Sequence, residues 1–152
     1  MNRIFFAALL SAVLMLLVEC KPAGNITKSP DFRVDSSLIG NFQDDYKIRY
    51  TITNNSFTQH PGVVYHILSY NEKEQYFIAR NDTSNISDAG LYTRIDFMKF
   101  NNMAPWTWGF CLTAYKAASF EEALRTAAAD RNNPKKGCGG YPFSRMRRID
   151  PK

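Results

Sequence analysis

The chain has 152 residues, a formal net charge of +5, three cysteines and two histidines, and it carries 11 Phe, 8 Tyr and 2 Trp. That length supports one domain with a single core. No CxxC pair occurs and His60 and His66 show no metal-ligand spacing, so no zinc site and no cofactor motif is expected. Without a helix-turn-helix, zinc-finger or RNA-recognition signature, the positive charge does not point to nucleic acid.

The first element is apolar. Arg3 supplies a basic start and residues 4–18 form a charge-free run of 15, short of the roughly 20 that a membrane-spanning helix needs. Residues 1–20 therefore read as a signal peptide, because the run is apolar on every face and ends at Glu19-Cys20-Lys21-Pro22. Leu17-Val18-Glu19-Cys20 resembles the lipobox of bacterial lipoproteins, with Glu19 where that motif has a small neutral residue. The resemblance implies lipidation of Cys20, attachment to a membrane by the lipid, and an extracytoplasmic location in the periplasm or at the cell surface. Ordinary cleavage near residues 20–24 with secretion is the alternative.

Setting Cys20 aside leaves Cys111 and Cys138, which an oxidising compartment would join in a disulfide. Their rivals as a catalytic thiol or metal ligands find little support, since no histidine lies near them in sequence.

Residues 21–37 are polar and broken by prolines, and read as a flexible tether. A single domain is expected over 38–152. Residues 46–53 alternate, placing Tyr46, Ile48, Tyr50 and Ile52 on one face of an antiparallel strand. Turn chemistry at Asn54-Asn55 and His60-Pro61-Gly62 precedes a β-rich run over 63–70. That run pairs as a hairpin with 74–80. Further strands are expected over 91–100 and 107–115, the last with Trp108, Phe110, Leu112 and Ala114 on one face. Short links make consecutive strands an antiparallel up-and-down meander, because parallel pairing needs crossover helices.

One helix is expected over 119–131, opened by the capping box Ser119…Glu122, with Phe120, Ala123, Leu124, Ala127 and Ala128 on one face. A glycine-rich turn then carries Cys138 back toward Cys111. The last 18 residues hold six basic side chains against one acidic, leaving the rest of the chain neutral. Lys135, Lys136, Arg145, Arg147 and Arg148 thus form a candidate basic patch for an anionic partner, in a segment whose Tyr141, Phe143 and Met146 should pack on the domain.

Strands, one helix and a stapled C-terminal segment resemble the lipocalin-like barrels, and Gly40-Asn41-Phe42 resembles that family's Gly-x-Trp strand with Phe42 in the tryptophan's place. The fold class implied is mainly β with one C-terminal helix, a barrel or partial barrel. The family resemblance implies a monomeric, non-enzymatic protein holding a small apolar or amphipathic ligand among its aromatics. The lining expected is Tyr65 and Trp108, with Arg94 and Asp96 facing inward as a pair that orients a polar group or fixes register. Binding of an anionic partner through the basic segment is the second reading, and an unrecognised hydrolase using His66 or Asp96 is the third.

Asp44 and Asp45 face opposite ways on a strand and read as a turn pair. Asn25, Asn54, Asn81 and Asn85 each open an Asn-x-Ser/Thr sequon.

Overall fold

The computed structural model describes residues 32–149. The signal peptide with Cys20, most of the tether, the Asn25 sequon and Lys152 lie outside them. Eight antiparallel strands form a closed barrel in chain order: β1 (Gly40–Asp44), β2 (Arg49–Ile52), β3 (Ser56–Gln59), β4 (Val63–Asn71), β5 (Tyr76–Asn81), β6 (Tyr92–Lys99), β7 (Trp108–Ala117) and β8 (Ser144–Arg148). β8 pairs with both β7 and β1, with Asp44 opposite Met146 and Met146 opposite Trp108, so no strand edge is left open.

The meander arises from alternation. Most inward positions are apolar and every strand supplies some: Phe42, Tyr50 and Ile52, Phe57, Tyr65 and Ile67, Phe77 and Ala79, Ile95 and Phe97, Trp108 and Phe110, Met146. These side chains form one cluster filling the lumen. Phe57 meets Tyr50, Phe110 and Trp108 edge-on at ring-centroid distances of 5.6, 5.2 and 6.5 Å, while Phe77 lies 5.2 Å from Phe97. Burying each large ring contributes on the order of 2–3 kcal/mol before the entropy of ordering is set against it.

One end of the barrel is closed. Ser36–Leu38 forms a 3-10 turn that buries Leu38, and Val34 is buried beside it, its N–H donating to Asn54 Oδ1 at 2.8 Å. The chain is therefore already docked on the barrel from Val34, before the end of the segment read as a tether. Arg148 lies over the Phe42 ring at 4.8 Å and donates through Nη2 to the carbonyls of Ser36 and Ser37. Gly40 makes room for this: its φ is +133°, and a Cβ there would come within 2.2 Å of Arg148 Nη1.

Two strands lie where none was expected. β3 sits in a segment read as turn, and β8 in a segment read as basic tail. In β8 the only strongly apolar residue is Met146, which fills the lumen while Arg145 and Arg147 point outward, so period-two patterning is masked by charge. The strand expected over 46–53 begins only at Arg49. Asp44 Oδ1 accepts from the N–H groups of Tyr46 and Ile48 at 2.9 and 2.8 Å, which turns the chain and leaves Tyr46 63% exposed.

The helix is also shorter than expected: α1 spans Phe120–Arg125. Ser119 caps it by accepting from the Glu122 N–H, and Glu122 returns a bond to the Ala118 N–H. Its end comes early because Thr126 turns extended (ψ 136°) and residues beyond it leave the helical path to reach the outer wall. Ala123 packs with Ile78 and Ala117 on β5 and β7. The Cys111–Cys138 disulfide, with sulfurs 2.04 Å apart, ties the following strap to β7, over Ala129 and Phe143.

Candidate functional site

The lumen changes character along the barrel axis. At the closed end Phe42 and Trp108 meet edge-on at 5.4 Å under the 3-10 turn. At the other end, the inward residues Val63 and Leu112, with Ile48 from the β1–β2 turn, are only half-buried against the same cluster. Tyr65 stands between these regions, buried, 6.2 Å from the Phe57 ring. This end, the mouth of the barrel, therefore keeps half-exposed apolar surface with polar groups beside it. Tyr50 donates its hydroxyl to Asp44 Oδ2 at 3.0 Å, and both residues are buried.

Burial pushes the Tyr50 phenol far above its ordinary range, and the adjacent Asp44 carboxylate adds to the shift. Tyr65 is raised too, by burial first and by Asp88 second. Both tyrosines therefore stay neutral as hydrogen-bond groups and are not proton carriers at physiological pH. Deeper in, Trp108 Nε1 and the Tyr70 hydroxyl are buried with no hydrogen-bond partner among the described residues. An unmatched buried donor costs roughly 1–3 kcal/mol.

Tyr65 and Trp108 thus lie in the lumen as expected, but Arg94 and Asp96 do not. Ile95 and Phe97 take the inward positions of β6, so the residues between them face the outer wall. There they are buried by α1 and the strap. Asp96 accepts from Arg94 Nε and Nη2 (both 3.1 Å), Arg131 Nη2 (2.9 Å), Thr113 Oγ1 (2.6 Å) and the Ala129 N–H (3.3 Å). Arg94 also donates to the Leu124 carbonyl at the end of α1 and lies 4.2 Å from the Tyr76 ring centroid. Arg131 reaches the carbonyls of Phe97, Glu74 and Gln75. The carboxylate is saturated, so this pair fastens helix and strap to the barrel and has no lone pair directed at a ligand.

The basic residues are divided by the fold. Lys135 and Lys136 are exposed in the turn before Cys138, Arg145 and Arg147 project from the β8 wall, and Arg148 is committed to the closed end. His66 is an exposed wall residue paired with Asp82 at 2.6 Å, and His60 meets the Thr51 hydroxyl at 2.9 Å. Asp82 is held well below the usual carboxylate range, chiefly by the Ser84 hydroxyl and N–H and then by His66. Among the described residues no group of three His, Cys, Asp or Glu could hold a metal ion, and no helix is long and apolar enough to cross a membrane.

Three sequon asparagines are structural. Asn81 spends both amide hydrogens on the carbonyls of Asp88 and Tyr115 (2.9 and 3.0 Å), and Asn85 both donates to and accepts from the Val64 backbone at 2.9 Å. Both are buried. Asn54 bridges Phe32 and Val34. A glycan on Asn81 or Asn85 is incompatible with this packing.

Arg131, Thr113 and the Asp44–Tyr50 pair were not singled out in the sequence. Arg131 sits beyond the helix with no pattern around it, and its partners are up to 57 residues away. Asp44 carried a weak signal, as an acidic residue beside the start of a strand.

No protein-family model, no curated protein and no solved structure matches the chain. The closed eight-stranded antiparallel barrel with one short helix is consistent with a lipocalin-like architecture.

Proposed function

We propose that this is an exported, non-enzymatic protein that binds one small apolar or amphipathic molecule at the open end of its barrel. The observation that carries this reading is the gradient along the lumen. Rings fill the closed end, whereas Ile48, Val63 and Leu112 leave apolar surface half-exposed inside the other rim. Apolar surface held in a concave, preformed mouth with a few polar groups at its edge is the usual build of a small-ligand site. The Tyr65 and Tyr50 hydroxyls supply that edge, Tyr50 already donating to Asp44.

Size follows from packing. Since the lower lumen is occupied by Phe57, Phe110, Phe77 and Phe97, the ligand sits at the mouth and a long chain would have to displace rings. An aromatic or short aliphatic molecule with one polar group fits that description. Export rests on the apolar N-terminal run and on the disulfide, which persists in oxidising compartments.

The test is displacement of an environment-sensitive apolar dye, with native mass spectrometry for stoichiometry. One saturable site, lost in Val63→Glu while the near-ultraviolet circular dichroism is kept, is the expected result. Dye that binds without saturation, or equally well to Val63→Glu, would remove the mouth from consideration.

A further inference from the structure

The barrel wall opposite α1 is bare. The helix packs on β5, β6 and β7, leaving β8, β1 and β2 to face solvent. Strand register brings Arg147, Gln43 and Arg49 side by side across that wall, which puts the two arginine Cα atoms about 10 Å apart. Gln43 accepts from Arg147 Nη2 and donates to the Lys47 carbonyl, so the β1–β2 turn is drawn into the same row. Arg145, two residues before Arg147, donates to Asp45 at 2.9 Å and lies over the Trp106 ring at 5.0 Å.

Two properties of this wall matter together. Arg49 and Arg147 are exposed and, among the described residues, make no ion pair with a carboxylate, and Lys47 is exposed beside them. Apolar groups flank these cations in the β1–β2 turn and in the loop before β7, which the Trp106–Arg145 contact brings to the β8 side of the wall. Tyr46 is 63% exposed next to Lys47, and Met103 is 39% exposed in the turn that the Trp106 N–H closes on the Met103 carbonyl. We propose that this wall docks the protein on an anionic membrane surface, with Lys47, Arg49 and Arg147 against the headgroups and Tyr46, Met103 and Trp106 at the interface.

Charge complementarity selects an anionic occupant, and the apolar residues select a membrane over a sulfated polysaccharide. Tyrosine and tryptophan settle at the headgroup level, where an amphipathic ring is stabilised, whereas a hydrated polyanion offers exposed Tyr46 and Met103 no apolar partner. This inference is independent of ligand uptake at the mouth, because none of its residues lines the lumen.

The experiment uses the full chain and two vesicle populations, phosphatidylcholine alone and phosphatidylcholine with phosphatidylglycerol. Any hydrophobic contribution from residues 4–18 is common to both, so the readout is the affinity ratio of anionic to neutral vesicles. Each basic residue near an anionic surface is worth roughly fivefold, so Arg49→Gln with Arg147→Gln should lower the ratio about 25-fold. Arg125→Gln on α1, over the opposite wall, should change it less than twofold. Raised salt should erase the ratio in the unaltered protein. A ratio near one in the unaltered protein, or one that the double variant leaves unchanged, would overturn the proposal. Tight binding of heparin, lost in the double variant, without any preference for anionic vesicles would overturn it as well and assign the wall to a polyanion. Cys111–Cys138 oxidation and near-ultraviolet circular dichroism report that each variant is folded.

Discussion

Replacing Asp96 by alanine should cost far more than any surface substitution. Its carboxylate has no exposed area and balances two guanidinium groups, Arg94 being almost wholly buried and Arg131 partly so. Removing one partner of a buried pair costs roughly 3–5 kcal/mol, because a charge is left without compensation. Arg94 would keep only the Leu124 carbonyl and the Tyr76 ring, while Arg131 would keep three backbone carbonyls, so the lower half of that range applies. A loss of about 3–4 kcal/mol corresponds to a drop in Tm of about 10–15 °C for a domain of this size. Urea unfolding with the disulfide intact measures it directly. Asp96→Asn, whose one amide oxygen can accept from the Arg131 side or the Thr113 side but not both, should fall between. The double substitution with Arg131→Ala should cost less than the sum of the single ones, since each removes the other's partner. If Asp96→Ala loses under about 1 kcal/mol, the network does not hold the strap and the reasoning fails.

Three further expectations concern the strap, the loops and pH. Cys138→Ser opens a covalent link between residues 27 apart in sequence, and should lower stability by about 3–4 kcal/mol in denaturant titration, with the dye site at the mouth retained. Asn85→Ala leaves the Val64 N–H and C=O without their partners and should cost about 1–3 kcal/mol, and intact-mass measurement of folded material should find no glycan at Asn81 or Asn85. Lys99 holds the Asp35 carboxyl well below its unfolded value of 3.8, with help from the Ser37 N–H. A lowered folded pKa gives stability that is complete above the unfolded value and fades as pH falls below about 4. The pH dependence of Tm in that acid limb should therefore be shallower in Asp35→Asn, and any change confined to the region above pH 6 would contradict the assignment.

Local patterning alone reveals much of this molecule. The β-rich run over 63–70 and the alternation over 107–115 identify β4 and most of β7, the Ser119–Glu122 box locates the start of α1, and the two late cysteines name their own bond. Each of these signals is carried by residues close together in sequence, which is why it survives without tertiary information. The segments that failed are those where neighbours in space overrule neighbours in sequence. Arg145 and Arg147 hid the strand pattern of β8 in a segment expected only to pack on the domain, and closure against β1 and β7 is what makes Met146 a lumen residue.

Direction was the other thing that only three dimensions decide. Arg94 and Asp96 share a face whichever way β6 is turned, and period two cannot say which face is the inside. The answer came from Ile95 and Phe97, whose burial in the ring cluster is worth more than any ion pair there, and from a strap with Arg131 that covers the opposite face. The sequence by itself determined a β meander, a capped helix and a disulfide, because those depend on spacing. The tertiary structure decided closure of the barrel, the side on which the charges are buried, and the end at which apolar surface stays open, because each depends on which distant residues compete for the same volume.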